Sequence, residues 1–421
     1  MTKDSKNKQN NNKVCVLIIE EKTDLRTFFM GALTKNGNYE VINAASAEEA
    51  FDILAKEGAK VNIILFDWNM SGMSGHVFSQ KIKASTEYDH IELIVCSAAF
   101  TEEDTFLMSE IDIYYTMPKV VNVFDFTSKM EQARKAYLNS QSVVAKLKNL
   151  QRLIHQADSQ AIEALLKENI DIEKEIQDNP KYAYLGGEIR IQHKKYLEAI
   201  QFLKEKLSQG DENRSHENLR TLSTLGKAMC LAGNFEEALV IFERLESKSP
   251  HNLHHKVMIG DALLGLDNIV GAEKKYDEVL QTDATNAGAL AGMVKTSSVS
   301  GNFKNAKTFF DKMEGNFESS ALASFFNNRG VALVKKGNIQ EAIQFYENAL
   351  QFFNKYKGIV YFNLGMAYFR SGNISSAVNS FQAAIAQESA LIQEKKILQE
   401  LKEKGVEKFI EDYSTKKVIS K

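Results

Sequence analysis

The sequence predicts two architectures in one chain: an α/β, doubly wound five-stranded parallel sheet in the first third, and an all-α solenoid in most of the remainder. Three observations carry this. Short continuous apolar runs alternate with helix-spaced segments up to about residue 138. From about residue 180 the strand signal vanishes and one helix-pair pattern recurs. The chain also holds only three prolines, Pro118, Pro180 and Pro250, which leaves room for long helical regions.

The elements follow in order. VCVLII (14–19) is the first strand, and DLRTFFMGALTKNG (24–37) has helical spacing and stops at Gly37. YEVINA (39–44) is the second strand. SAEEAFDILAKEG (46–58) opens on an N-cap, Ser46, with Glu49 three residues on, and ends at Gly58. VNIILF (61–66) and HVFSQKIKAS (76–85) make the third strand and helix. IELIVCS (91–97), a short helix near 102–109, IYYTM (113–117) and a helix from about 122 complete five alternations. Continuous apolar strands alternating with helices imply a parallel sheet covered on both faces. Ligands of such sheets bind at the carboxyl ends of the strands.

Composition excludes several classes. A net charge of −3 on 421 residues gives no global electrostatic case for nucleic acid. Cys15, Cys96 and Cys230 lie far apart in apolar contexts, with neither metal spacing nor a disulfide framework, which fits a reducing, cytoplasmic setting. The first thirteen residues, MTKDSKNKQNNNK, lack the apolar stretch of a signal peptide and read as a disordered tail. No apolar run approaches the ~18 residues of a membrane span. His254 and His255 are adjacent and point to different helix faces, so they do not share a metal. No P-loop, nucleophile elbow, zinc motif or helix-turn-helix is present.

The third strand ends on an acid: NIILFDWNMSGMSG (62–75) runs from Ile63–Phe66 straight into Asp67, with Trp68 and a loop carrying Gly72 and Gly75 behind it. The first strand ends on Glu20 and Glu21, the fourth on Ser97. If strands one and three are neighbours, three carboxylates converge in one crevice. Uncompensated they repel; a hard divalent cation such as Mg²⁺ is the natural remedy.

These pieces, LIIEE, FDWNMSGMSG, the small hydroxyl in VCSAA and DIYYTMP, resemble the receiver domain of two-component response regulators over residues 13–138. The resemblance implies that Asp67 is the phosphoacceptor. It makes Glu20 and Glu21 the metal-side acids, with Asp67 and the backbone carbonyl of Asn69 as further Mg²⁺ ligands. Ser97 would hydrogen-bond a phosphoryl oxygen, and Tyr114 would turn inward when Ser97 moves. The sequence departs from the family twice. Both metal-side acids are glutamates where aspartates are usual, which predicts weakened Mg²⁺ binding. The family's lysine before the proline is replaced: alignment on Pro118 and Tyr114 leaves Met117 in its place and is preferred, whereas alignment on Lys119 requires the proline to move. A methionine there forfeits a charge-assisted bond of about 1.5–3 kcal/mol. Driving a switch from 1:99 to 99:1 takes about 5.5 kcal/mol, so the loss blunts the response. Lys119 could instead swing in from its neighbouring position.

The second pattern reads LGKAMCLAGNFEEALVIFERL (225–245), and again from 259, 293, 329 and 364. Gly226, Gly260 and Val294 are spaced by 34. Ala238, Ala272, Ala306, Ala342 and Ala377 mark the second helix of each unit, and Phe242, Tyr276, Phe310, Tyr346 and Phe381 stand four residues on. The pattern resembles tetratricopeptide repeats. Small residues let antiparallel helices approach and the aromatics fill the space beside them, as core. Gly233, Gly301, Gly337 and Gly372, each followed by Asn, end first helices in a left-handed turn. A degenerate sixth unit spans 182–203 with Ala199 and Leu203. The organisation expected is a tail (1–12), the receiver (13–138), a helical connector and cap (139–179), a solenoid of about six units (180–387) and a closing helix with tail (388–421).

Such solenoids resemble protein-binding scaffolds, and catalysis is not expected of them. Asn327, Asn328 and Arg329 hint at a carboxylate clamp, but the next unit offers Phe362, Asn363, Met366 and Phe369. That mostly apolar lining suits an amphipathic helix or an aromatic-bearing extended segment, unless the residues pack within the solenoid. The resulting expectation is a cytoplasmic response regulator, not an enzyme beyond promoting its own phosphoryl transfer and dephosphorylation. A sensor histidine kinase would phosphorylate Asp67, reorienting or exposing repeats that bind target proteins, with no nucleic acid and no membrane involved. Two alternatives are a phosphorylation-independent scaffold or assembly adaptor whose receiver only docks, and a phosphorylation-independent enzyme regulator or assembly chaperone.

Overall fold

Five parallel strands form one sheet in the order β2-β1-β3-β4-β5 in the computed structural model of the chain. They are β1 (Val14–Ile19), β2 (Tyr39–Ala44), β3 (Ile63–Asp67), β4 (Glu92–Ser97) and β5 (Tyr115–Pro118). The structure describes residues 13–35, 37–119, 122–209, 218–313, 320–353, 356–387, 400–401 and 403–419. The expected tail (1–12) and residues 388–399 of the expected closing helix lie outside these.

The helices of this layer are α1 (Thr23–Thr34), α2 (Ala47–Glu57), α3 (Gly75–Ala84), α4 (Glu102–Glu110) and α5 (Val123–Leu138). The strand period of two sorts β3 between two cores. Ile63 and Leu65 join Phe29 and Leu33 of α1 and Phe126, Met130 and Ala133 of α5. Ile64 and Phe66 join Ala50 and Leu54 of α2, Phe78 and Ile82 of α3 and Leu107 of α4. This is the doubly wound arrangement, and the strand order reverses between β1 and β3, whose ends carry the acids. Ser46 caps α2 by accepting from the Glu49 amide at 3.2 Å.

Beyond the sheet the described chain is helical. First come α6 (Val143–His155), α7 (Ser159–Glu168) and α8 (Ile170–Asp178). Next are α9 (Ala183–Gln192), α10 (Tyr196–Ser208), α11 (Leu219–Ala232), α12 (Phe235–Lys248), α13 (Leu253–Gly265) and α14 (Ile269–Thr282). Then follow α15 (Ala287–Val299), α16 (Phe303–Asp311), α17 (Ser320–Lys335), α18 (Ile339–Ala349), α19 (Lys357–Ser371), α20 (Ile374–Ala386) and α21 (Val406–Ile419). All five marker alanines of the repeat are fully buried, as are Phe242 and Tyr276. Gly233, Gly301, Gly337 and Gly372 all have positive φ, between 76° and 89°. Lys194 and Asp267 take the same turn without being glycine, at φ 59° and 58°.

Two compact units divide the chain, residues 1–266 and 267–421. The division does not fall at the end of the sheet layer. The first unit holds the sheet domain together with α6 to α13, and Phe106 of α4 belongs to the same apolar core as Leu150, Tyr184, Leu203 and Phe242.

Candidate functional site

The register of the sheet builds the pocket. Ile19 pairs with Phe66, so Glu20 and Asp67 emerge side by side at the carboxyl edge of β1 and β3. Asp67 pairs with Cys96 and Ser97 with Pro118, which brings the ends of β4 and β5 to the same edge. The loop after β3 is shaped by two glycines. Gly72 has φ +72°, and a Cβ on Gly75 would stand 2.6 Å from the Trp68 carbonyl oxygen, so only glycine allows α3 to start so close to the strand end.

Lys119 is the centre of this pocket. Its Nζ lies 2.5 Å from Asp67 Oδ2 and 3.1 Å from Glu20 Oε2. Burial would lower the Lys119 pKa, but hydrogen bonds to Asp67 and Glu20 outweigh it and raise it above the usual lysine value. The preferred alignment, with Met117 in the lysine's place, is therefore corrected. Met117 pairs with Cys96 one rung inside the sheet and is buried among Ile18, Leu65, Ile94 and Phe126. Lys119 is the first residue past the ladder, its amide donating to the Ser97 carbonyl at 2.7 Å. Strand register, which the proline does not mark, decides which side chain reaches the edge.

Asp67 Oδ1 accepts from the Asn69 amide at 3.1 Å, and Asn69 Nδ2 donates to Ser97 Oγ at 3.1 Å. Ser97 is fully buried and donates to the Ala99 carbonyl at 2.8 Å. Glu20 Oε1 accepts from the Lys22 amide at 2.9 Å. Arg26, which the sequence reading passed over, donates to the Glu20 carbonyl at 2.6 Å. Glu21 is a second correction: its carboxylate accepts from the amide and hydroxyl of Ser71, at 2.5 and 2.7 Å, and does not join Asp67. The longer glutamate arm reaches the loop after β3. Two carboxylates meet at Lys119 instead of three meeting at one point, and among the described residues no group of three or more acidic, His or Cys side chains converges as a metal site.

Tyr114, expected to turn inward when Ser97 moves, stands apart from Ser97 in this structure. It precedes β5, is 42% exposed, and its hydroxyl donates to Asp112, with the Lys181 ammonium 4.4 Å from its ring centroid. The residue opposite Ser97 is Pro118, four positions on, about 13 Å along extended chain. The buried Asp112 carboxylate needs donors, and Tyr114 is one of them.

In the second unit, Phe362 is the third correction. It is buried against Phe381 and Phe409, ring centroids 5.7 and 6.4 Å away, and so lines no groove. The aromatic of α21 covers it. Met366 and Phe369 are half-buried against the same core. Asn328 is exposed, while Asn327 accepts from Asn363 of α19 and donates to Asn328 at 3.0 Å. Arg329 pairs with Asp267 at 2.7 Å.

Comparison with known proteins agrees with both halves. Residues 16–131 match the response regulator receiver domain model, residues 321–387 a tetratricopeptide repeat model, and residues 220–249 a PPR repeat model. A chemotaxis protein CheY homolog of Campylobacter jejuni is 29% identical over 80 residues, 19% of this chain and 61% of that protein. A TPR repeat-containing protein of Methanocaldococcus jannaschii is 22% identical over 216 residues, 47% of this chain and 37% of that protein. The chain thus spans less than two thirds of either relative's length. A solved receiver protein from Pseudomonas putida is 21% identical, covering 28% of this chain and 97% of its own with a TM-score of 0.27. A solved tetratricopeptide repeat protein from Parabacteroides merdae is 18% identical, covering 62% and 98% with a TM-score of 0.38. The chain carries a receiver domain of the response-regulator type at its N-terminal end. It continues into tetratricopeptide-type repeats.

Proposed function

We propose that this chain is a response regulator with a protein-binding output, in which Asp67 accepts a phosphoryl group from a sensor histidine kinase. The reading rests above all on one observation: Lys119 Nζ bridges Asp67 and Glu20 at the carboxyl edge of the sheet. In the transfer, an Asp67 oxygen attacks phosphorus in line, the bond from phosphorus to the donor nitrogen breaks, and the histidine takes back a neutral ring. Catalysis of this kind is positioning and charge neutralisation. Glu20 and Asp67 are hard oxygen donors within reach of one ammonium, and that donor set fits a small divalent cation. They would hold Mg²⁺ with the Asn69 carbonyl and water. Bound there, the ion offsets charge on the transferring group. Lys119 then pairs with a phosphoryl oxygen, and the Ser97 hydroxyl leaves Ala99 to donate to another. The repeats hold a target protein, with Asn327, Asn328, Met366 and Phe369 as groove contacts.

The test is incubation of the full chain with a small phosphodonor and Mg²⁺, followed by intact mass. One phosphoryl group is expected on the wild type and none on Asp67→Asn or with the metal chelated. Trp68, the one tryptophan of the chain, reports the same event by fluorescence. An unmodified wild-type chain sinks this reading in favour of a phosphorylation-independent scaffold. The scaffold has its own supporting observation, because α4 and the loop after it are packed against repeat helices.

A further inference from the structure

We propose that the state of Asp67 reaches the repeats through Trp68, His76 and the turn between α12 and α13, along the α3–α4 side of the receiver. This deepens the reading above and rests on Asp67 being the acceptor.

Trp68, the residue after Asp67, is 1% exposed. Its indole Nε1 donates to Asp104 Oδ1 at 2.8 Å. The same oxygen lies 2.7 Å from His76 Nε2. Asp104 Oδ2 accepts from the Thr101 amide at 2.8 Å, so the carboxylate is anchored to the start of α4. The His76 ring lies between Trp68 and His251, tilted against both, with centroids 4.5 and 4.6 Å away. His251 sits in the α12–α13 turn, and α3 grips the backbone of that turn directly. Gln80 Nε2 donates to the His251 carbonyl at 2.9 Å, and Gln80 Oε1 accepts from the Leu253 amide at 2.8 Å. One residue along, Asn252 donates to Glu110 of α4 at 2.9 Å. The fully buried His255 lies 3.0 Å from Glu110.

The contacts leave little slack. Phosphorylation must rearrange the strand end at 67–69, and Trp68 cannot shift without displacing Asp104 and His76. His76, held by Asp104, cannot shift without disturbing His251 in the α12–α13 turn, because packed interiors have discrete arrangements and do not deform continuously. The path through Ser97 and Tyr114 lacks this continuity, since Ser97 bonds to Ala99 and Tyr114 to Asp112.

Hydrogen exchange by mass spectrometry on the full chain tests this at peptides covering 249–256. On phosphorylation, their exchange should change by about tenfold in the wild type. Asp104→Asn, which keeps the shape but weakens the shared acceptor, should still take up the phosphoryl group by intact mass but lose that change. His76→Phe should behave alike, and Tyr114→Phe should retain the wild-type response. A response that persists in both Asp104→Asn and His76→Phe, or one abolished by Tyr114→Phe, overturns the proposal. If Asp67 takes no phosphoryl group, the reading above fails and Asp67→Ala decides the coupling alone. Altered exchange at 249–256 in the wild-type background but not with Asp104→Asn supports the route, and no alteration overturns it.

Discussion

At the scale of single residues, burial sets chemistry that composition only hints at. Cys15 and Cys96 sit inside the sheet, and burial raises their thiols to about 11 and about 12. The half-buried Cys230 is in α11. Reaction with a disulfide reagent near neutral pH should therefore stop at one thiol, Cys230, until denaturant releases the other two; three rapid equivalents would contradict the buried sheet. The sign of the linkage follows. The unfolded chain ionises Cys15 near its ordinary value of 9.0 while the fold keeps it neutral up to about 11. Stability contributed by Cys15 is complete below about pH 9 and falls as pH climbs toward 11. Cys15→Ser should flatten that part of a stability–pH profile. The residue the sequence reading placed second, Lys119, was legible as a cation near the pocket. Its reach was not, because reach depends on where the β4–β5 ladder ends.

Among elements, the repeats depend on absent side chains. A Cβ on Gly226 would stand 2.7 Å from the Phe242 ring, which is fully buried and has nowhere to retreat. A Cβ on Gly31 of α1 meets nothing within 4 Å. Gly226→Ala should lower stability by about 1–3 kcal/mol through overpacking. Gly31→Ala should raise it by up to ~1 kcal/mol through helix propensity. Urea unfolding of the two variants measures both, and equal effects would mean that the close approach of α11 and α12 is wrong. The small-then-aromatic spacing was readable from sequence because the clash is local to a helix pair and recurs. Phe362 was not, because its covering partner, Phe409, lies in another helix 47 positions away.

For the molecule as a whole, the first compact unit couples sheet and repeats through a buried charge. Asp112 at the end of α4 has φ +57° and accepts from Tyr114, Gln151 and Arg220. The Arg220 guanidinium also stacks 3.6 Å over the Tyr184 ring. Burial alone would raise the Asp112 carboxyl, but Arg220 and Lys83 outweigh it and hold it below the usual range. Arg220→Met should cost about 3–5 kcal/mol by stranding that carboxylate, with most of the loss recovered in the double variant with Asp112→Asn. If the first unit is one cooperative body, hydrogen-exchange protection should fall together in β3 and in α11–α13. Loss confined to the repeats would argue for a receiver that folds apart from them.

The sequence by itself determined both architectures, the edge of the sheet that carries the acids and the phase of the repeat. These depend on short-range periodicity, strand ends and spacing within helix pairs, which are written along the chain. Only the tertiary structure decided that Lys119 rather than Met117 meets Asp67, that Glu21 turns to Ser71 and Tyr114 to Asp112, and that the receiver packs into the first repeats. Each of those depends on side chains brought together from distant positions by register and packing, and no local pattern encodes which of several candidate partners arrives first.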